Sequence, residues 1–495
     1  MELFKIIKDI RIKKYNPSLD YIDLRDIKTS HKDVKKGDLF IALHGENFNG
    51  NDFIKQAFDN GAQVVISDEK NDDERIIYVE NARKAYSLAC KNFFDRACDN
   101  LKIIAVTGTN GKTTVANTTT EMLRYAGAKV GLIGTLGAKI EDEVIDTGFT
   151  TPDPYMLHKL FKKMEDDKCE YVVMEASAHA LALDKLEGIK FEIGVLTNIT
   201  EDHLDYFKDM ENYTKAKMKL FDRERAKLGL ICVEDELCKE NLLKIQVPFL
   251  TYGFNKYSDI KAENIKKSFS GTYFDCDFFN EYMAIKTNLI GEYNILNALA
   301  AIGICRSLGV PKELVRIGMS CINPVEGRFN IINMKDNNIV IDYAHTPDGL
   351  EKILETAKDL SENKLVVIFG CGGNRDRQKR PIMGEIASRI ADDVILTSDN
   401  PRFEEPYDII DEIKSGIKKD CKVIENRKKA IEYALNNYKN GETIVIAGKG
   451  AEKYQEIKGV KYPYNDFDVV YNYYRKRIKE ISSWQNQNED EEEKY

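Results

Sequence analysis

Short, continuously apolar runs alternate with helical patterns along most of this chain, and that alternation leaves few folds open. Ile103-Ile104-Ala105-Val106, Val130-Gly131-Leu132-Ile133, Tyr171-Val172-Val173-Met174 and Ile193-Gly194-Val195-Leu196 lack the polar alternation of a strand with one wet face. A strand apolar on both sides must be covered on both sides, which is the property of a largely parallel sheet flanked by helices. The pattern restarts after Gly327 with Ile339-Val340-Ile341, Leu365-Val366-Val367-Ile368, Val394-Ile395-Leu396 and Thr443-Ile444-Val445-Ile446. Helical stretches at 347–358 and 381–391 separate those runs. Ahead of both blocks, Asp38 to Leu43 and Val64-Val65-Ile66 mark a smaller α/β segment ending near Cys98. Ligand-binding loops are expected at the carboxyl ends of such strands.

A length of 495 residues fits about three domains at roughly 150 residues each. With 43% hydrophobic and 31% charged residues there is material for several cores, so global disorder is excluded. The net charge of −9 speaks against a nucleic-acid binder held by phosphate neutralisation. Ten scattered cysteines without a C-x-x-C pair predict reduced thiols rather than a disulfide scaffold or a zinc ribbon. The first fifteen residues are broken by charges, and no apolar run approaches about 18 residues. A cytoplasmic protein without membrane insertion is expected. The C-terminal end, 485–495, is acidic and is expected to be a disordered tail.

The strongest chemical signal is Thr107-Gly108-Thr109-Asn110-Gly111-Lys112-Thr113-Thr114, placed after a strand and opening a helix. Glycines let backbone N–H groups approach a phosphate, and a helix N-terminus adds a favourable dipole. Lys112 suits the β/γ-phosphates, and the Thr113 hydroxyl suits Mg²⁺. Val106 stands where the strict phosphate-loop pattern has its first glycine. Glu175 closes one strand, with Ser177 after it, and Asn198 and His203 follow another. A carboxylate and an imidazole beside a triphosphate are plausible Mg²⁺ ligands. Lys217, by its spacing alone, reads as a solvated helical lysine. Asn294 and Asn297, ahead of the alanine-rich stretch 298–305, share a helix face by their i, i+3 spacing. They read either as a capped helix start or as amides that recognise a base. Gly327-Arg328-Phe329 and Asp342-Tyr343-Ala344-His345 lie at the second boundary. They offer a cation and a carboxylate that a mobile domain would bring to a nucleotide. Gly370 to Asp376 and Ser398-Asp399-Asn400-Pro401-Arg402 each follow a strand. Asp and Arg together suit a zwitterion, because Arg binds a carboxylate in bidentate fashion.

Taken together these motifs resemble the Mur ligase family over nearly the whole chain, through Gly108 to Thr114, Thr197 to Tyr206, Asn294 and Asn297, Gly327-Arg328, Asp342 to Asp348, Gly370 to Arg380, Asp399 to Arg402 and Gly448-Lys449-Gly450. The resemblance implies an α/β chain of three domains. These are a UDP-sugar-binding domain at 1–98, a central P-loop-type ATPase domain with a mostly parallel sheet at 99–327, and a C-terminal Rossmann-like domain at 328–484 that brings the amino acid. It implies an ATP- and Mg²⁺-dependent ligase acting on the D-Glu γ-carboxylate of UDP-MurNAc-L-Ala-D-Glu, working as a monomer. Phosphorylation turns a poor electrophile into an acyl phosphate, which an amine then attacks; cations and Mg²⁺ neutralise the anions involved.

The resemblance also distributes roles. The catalytic set is Lys112, Glu175, His203 and Lys217, the last as a carbamylated lysine, and the metal set is Thr113, Glu175, His203 and Lys217. ATP falls to Gly108, Thr109, Asn110, Gly111, Lys112, Thr113, Thr114, Asn294, Asn297, Arg328, Asp342 and His345. The UDP-muramoyl dipeptide falls to Ser30, Thr150, Thr151, Ser177 and Lys185. The amino acid falls to Arg375, Asp399, Asn400, Pro401, Arg402, Gly448 and Glu452. Asp399 to Arg402 resembles the form that adds meso-diaminopimelate, whose distal carboxylate Arg402 would bind and which L-lysine lacks. Where the family pattern has Arg after Ser, Gln and Arg, and His, this chain has His31, Leu183 and Lys185, and Ala451. The space beside Ala451 keeps meso-lanthionine open as an alternative substrate. A folylpolyglutamate-synthase-like ligase and an ATP-driven switch are the competing functions.

Overall fold

The computed structural model describes residues 1–45, 48–334, 337–439 and 441–477, so the acidic tail lies outside the described residues. The chain divides into two compact units. One comprises Met1–Ile199, Glu211–Lys261 and Leu299–Gly318, and the other Thr200–Met210, Ala262–Ala298 and the chain from Met319 onward.

The first unit holds two sheets. A five-stranded sheet runs Ile12–Lys14, Ile76–Val79, Ala62–Ser67, Asp38–Ile41, Ile27–Lys28, and only its first pair is antiparallel. Alternate residues of its central strands serve opposite faces. Leu39, Ile41, Val64 and Ile66 join one core, while Phe40, Ala42 and Val65 join another.

The second sheet of this unit has six parallel strands in the order Phe249–Gly253, Ala226–Cys232, Phe191–Leu196, Lys102–Thr107, Tyr171–Glu175, Val130–Gly134. The antiparallel strands Gly137–Ile140 and Glu143–Ile145 extend one side. Each apolar run of the sequence is a strand of this sheet, one to two residues longer than the run itself. The chain order places Lys102–Thr107 between Tyr171–Glu175 and Phe191–Leu196. Register sets Glu175 beside Val106 and Leu196 beside Thr107. Three carboxyl ends therefore open side by side, at a point where strand order reverses.

The second unit carries a six-stranded sheet in the order Asn330–Asn333, Asn338–Asp342, Thr443–Ala447, Leu365–Phe369, Asp393–Leu396, Lys422–Val423. Its first pair is antiparallel and the others are parallel. Val340, Val367 and Val445 face a core shared with helices Pro347–Leu360, Lys379–Ile390 and Pro406–Lys414. Ile339, Ile368 and Ile446 face the other core, with helix Arg427–Asn437 and Val470. That double cover is why these strands read as continuous apolar runs. The unit also contains the antiparallel strands Gly271–Phe278 and Glu281–Thr287 and a hairpin, Tyr454–Ile457 with Val460–Pro463. None of these was visible as an apolar run, because exposed or polar residues interrupt each of them.

Asn294 and Asn297 share one helix, Glu292–Ser307, as their spacing implies, and that helix starts ahead of the alanine-rich stretch. One local expectation is corrected. Lys217, expected to be solvated, is 1% exposed. It lies on helix Met210–Met218 with its ammonium 4.2 Å from the Tyr213 ring centroid. Among the described residues no helix is long and apolar enough to cross a membrane, and all ten cysteines are free.

Candidate active site

In the first unit the loop after Lys102–Thr107 is drawn tight by two glycines. Gly108 has φ +147°, and a Cβ there would lie 1.9 Å from Thr197 Oγ1. Gly111, at φ 88°, caps helix Lys112–Tyr125 in the left-handed region. The neighbouring strand end holds the loop: Thr109 N donates to Asn198 O at 2.9 Å and Asn110 N to Asn198 Oδ1 at 2.8 Å. Thr197 Oγ1 donates to Asn110 O at 2.6 Å. Thr109 Oγ1 lies 3.2 Å from Tyr213 Oη. Lys112 Nζ folds over the loop and donates to Gly108 O and Thr109 O, both at 2.8 Å. These are replaceable partners for a cation whose stronger partner would be a phosphate.

Glu175, 1% exposed, ends the adjacent strand. Its carboxylate accepts from Thr113 Oγ1 at 3.1 Å, Thr135 N at 2.9 Å and Thr135 Oγ1 at 3.1 Å. Gly134 is required beside it, since a Cβ there would lie 2.3 Å from Glu175 Oε1. A threonine hydroxyl and a buried carboxylate at a phosphate loop are hard oxygen donors. They fit Mg²⁺, which takes one or two carboxylates plus phosphate oxygens. Among the described residues no group of three or more His, Cys, Asp or Glu forms a cage of protein ligands alone.

The same edge gathers three of the expected muramoyl contacts. Thr151 Oγ1 donates to Glu175 O at 2.8 Å and reaches Ser177 Oγ at 3.2 Å. Thr150 Oγ1 lies 3.1 Å from Thr135 Oγ1. Lys185 sits 5.4 Å from the Phe149 ring centroid. Burial lowers its pKa below the ordinary lysine value, Asp153 opposes that shift, and Arg83 adds to it. Ser30 stands elsewhere, ahead of the short turn His31–Asp33, with its side chain making no capping bond. Thr135 was missed by sequence reasoning. It lies far from Glu175 along the chain, and nothing local marks it.

In the second unit His203 has φ 56°, in the left-handed region, and its Nε2 lies 3.3 Å from Asp202 Oδ2. Asn297 Nδ2 donates to Asn294 Oδ1 at 3.0 Å, and Asn294 Nδ2 to Ile290 O at 2.8 Å, with both side chains buried. The Asp342 carboxylate accepts from Phe329 N and Ala344 N, each at 2.6 Å. Burial raises its pKa, partly offset by Arg328. The Arg328 guanidinium lies 4.6 Å from the Tyr343 ring centroid. His345 Nδ1 is 2.9 Å from Tyr343 O. Burial, then Lys379, pushes the imidazole down to about 4, while Asp202 opposes the shift.

Three strand ends of the six-stranded sheet converge on a second cluster. Gly373 N donates to Asn400 O at 2.9 Å. Lys449, fully buried, donates to Asn400 Oδ1 at 2.9 Å and Glu452 Oε2 at 2.8 Å, while Asn400 Nδ2 donates to Glu452 Oε2 at 2.9 Å. Asp399 Oδ2 faces Gly448, where a Cβ would lie 2.8 Å away. Arg402, after Pro401, adopts φ 51° and donates from Nη1 to Gly373 O at 2.7 Å. Arg375 is exposed beside the same glycine loop. Sequence reasoning gave no role to two buried cations, Arg427 and Arg380. Arg427 pairs with Asp466 through two bonds of 2.9 and 2.8 Å and donates to Ala447 O. Arg380 pairs with Glu404 and Glu412.

The Mur ligase middle domain matches residues 106–305, the glutamate ligase domain of Mur ligases matches 327–450, and the catalytic domain of the Mur ligase family matches 27–93. The chain is 40% identical over 480 residues to the UDP-N-acetylmuramoyl-L-alanyl-D-glutamate–2,6-diaminopimelate ligase of Clostridium tetani, covering 95% of this chain and 98% of that one. It is 40% identical to the enzyme of the same name from Aquifex aeolicus, covering 92% and 95%. A solved structure of a ligase of that name aligns with a TM-score of 0.70 at 30% identity, over 97% of this chain and 100% of the other.

Proposed function

The chain belongs to the Mur ligase family, and we propose that it joins meso-diaminopimelate to the D-Glu γ-carboxylate of UDP-MurNAc-L-Ala-D-Glu, driven by ATP. The supporting observation is the 40% identity, over 95% of the chain, to a ligase named for that reaction. A division at 1–98, 99–327 and 328–484 is part of this reading. A monomeric, cytoplasmic enzyme is part of the same reading.

The carboxylate oxygen takes the γ-phosphoryl group of ATP, giving an acyl phosphate and ADP. The amine of the amino acid then attacks the acyl carbon and loses a proton, and the C–O bond to phosphate breaks. Lys112 exchanges its loop carbonyls for phosphate oxygens, and Gly108 to Thr114 supply backbone N–H groups to the same anion. Thr113, Glu175, His203 and a carbamylated Lys217 are assigned to Mg²⁺. When bound, that ion screens the charge of the transferring phosphoryl group. Asn294 and Asn297 are assigned to the base, and Arg328, Asp342 and His345 to the rest of the nucleotide. Ser30, Thr150, Thr151, Ser177 and Lys185 orient the UDP-muramoyl dipeptide. Arg375, Asp399, Asn400, Pro401, Arg402, Gly448 and Glu452 receive the amino acid.

The test is phosphate release with ATP, Mg²⁺ and UDP-MurNAc-L-Ala-D-Glu against meso-diaminopimelate, meso-lanthionine, L-lysine and no amino acid. Turnover led by diaminopimelate is expected. A lead by meso-lanthionine would transfer the assignment to the thioether, in keeping with Ala451. Turnover with lysine alone would overturn the specificity, and no amino-acid-dependent turnover by folded protein would overturn the ligase reading.

A further inference from the structure

A hydroxyl carries a single proton, so a line of hydrogen-bonded hydroxyls that ends on a carboxylate has a fixed direction. Such a line lies at the carboxyl end of strand Val130–Gly134. Thr135 grips Glu175 by both oxygens, with its N on Oε1 at 2.9 Å and its Oγ1 on Oε2 at 3.1 Å. A carboxylate only accepts, so the Thr135 proton is spent there. Thr150 Oγ1, 3.1 Å from Thr135 Oγ1, is then the donor of that contact. The protons run from Thr150 to Thr135 to Glu175. Thr151, the next residue, is placed differently. Its Oγ1 donates to Glu175 O at 2.8 Å and accepts from Ser177 N at 3.0 Å, so main-chain groups lock its proton. Among the described residues neither Thr135 Oγ1 nor Thr150 Oγ1 has a main-chain partner, and the line they form is free to reverse.

In this order Thr150 offers a ligand only its lone pairs. The phosphates and carboxylates of the UDP-muramoyl dipeptide need donors instead. Glu175 Oε2 also accepts from Thr113 Oγ1 at 3.1 Å, the other hard donor assigned to Mg²⁺. An oxygen given up to the ion no longer accepts from Thr135, and the freed Thr135 proton has Thr150 Oγ1 as its nearest acceptor. Thr135 is exposed and Thr150 half-buried, so a ligand can reach the end of the line. We propose that Thr135 is a positioning residue that couples metal to acceptor substrate. With Glu175 committed to Mg²⁺, the Thr135 hydroxyl turns to Thr150 and makes Thr150 a donor to the UDP-muramoyl dipeptide. A coupling of this kind is reciprocal, so the dipeptide tightens Mg²⁺ by the same factor.

This inference rests on the ligase reading and is tested on the full chain by binding, without turnover. The quantity is Kd for UDP-MurNAc-L-Ala-D-Glu, measured by calorimetry with and without Mg²⁺ while a non-hydrolysable ATP analogue saturates the protein. Wild-type protein should bind the dipeptide about fivefold or more tighter with Mg²⁺, the net worth of one hydrogen bond. Mg²⁺ held by the dipeptide's own diphosphate contributes equally in every variant, so the ratios are compared between proteins. Thr135→Val keeps the shape of the side chain and removes the hydroxyl. Its ratio should fall severalfold, and its Mg²⁺-free Kd should stay or fall, since Thr150 then has a proton to give without the ion. Thr135→Ser should keep the wild-type ratio. Thr150→Val breaks the line at its other end and should lose the ratio too, which carries the test even where T135V melts early. Equal ratios in wild type and T135V would overturn the inference. So would a T135V loss of the same size with and without Mg²⁺, which would make Thr135 a plain substrate contact. A T135S ratio as low as that of T135V would also overturn it, because the hydroxyl would then not be what couples the sites. Absence of dipeptide binding by folded wild-type protein would instead sink the ligase reading, and needs no variant to be seen.

Discussion

Lys112 and Arg402 occupy comparable situations. Each is a cation whose present partners include backbone carbonyls at a strand end, and each has a stronger anionic partner in the proposed reaction. Lys112→Ala removes the charge that meets the phosphates. We expect ligation to fall at least a thousandfold, as for loss of a main electrostatic contact to the transferring group, with the melting temperature nearly unchanged. Phosphate release and a thermal melt on one preparation check both. Arg402→Ala should raise KM for diaminopimelate about 10- to 100-fold, the range for a hydrogen bond to a charged group. KM for ATP should hold, and a uniform rise for every substrate would contradict the clamp. The sequence marks these residues because each sits in a short motif after an apolar run. It does not mark Thr135, which gives Glu175 two of its three hydrogen bonds. Nor does it reveal that Lys217 is buried, since a lysine in a helical run looks the same wherever its face points. Lys217→Ala supplies a third check: partial rescue by a short added carboxylate is expected if the lysine carries a carbamate, and absence of rescue removes that assignment.

At the scale of elements, strands were legible and the contacts between loops were not. A doubly covered parallel strand announces itself by an unbroken apolar run, and every run singled out is a strand. The hairpin of Tyr454–Ile457 with Val460–Pro463 has exposed residues along its second strand, so it offers no such signal. Loop against loop is a matter of strand order. Asp393–Leu396 and Leu365–Phe369 pair in register, which brings Gly370–Gly373 onto Asp399–Pro401. The approach is close enough that a Cβ on Gly373 would lie 2.0 Å from Pro401 O, and one on Gly370 2.1 Å from Thr397 O. Both obstacles are backbone atoms and cannot swing aside. Gly373→Ala should therefore push the two loops apart. We expect a rise in KM for the amino acid of about tenfold or more, as for a misplaced positioning group, with little change for UDP-MurNAc-L-Ala-D-Glu. Equal damage to both substrates would mean that the loops do not act as a separate amino acid site.

Across the whole molecule, two buried imidazoles set how stability answers to pH. His158 lies under the first unit's surface against Phe161, with its Nε2 unpartnered, and burial pushes it down to about 3. His345, in the second unit, is pushed down to about 4. Both are neutral in the folded chain at pH 7, whereas the unfolded chain protonates them near 6.5. Below that pH the unfolded state binds more protons, so stability falls as pH drops from 6.5 and goes on falling until the folded pKa values are reached. At pH 5.5 the loss is about 1.4 kcal/mol for each histidine, one pH unit below the unfolded value. A second step follows at lower pH. Glu404, held down to about 2 by Arg380, gives stability that is present above its unfolded value and is lost as pH falls toward 2. The two steps separate by variant. His158→Phe keeps a ring against Phe161 and removes one titrating group. Chemical denaturation between pH 7 and 5 should then show about half the wild-type loss, with the Glu404 step below pH 4.5 unaltered. An unchanged slope between pH 7 and 5 would mean that the His158 imidazole reaches solvent, or a proton, without unfolding.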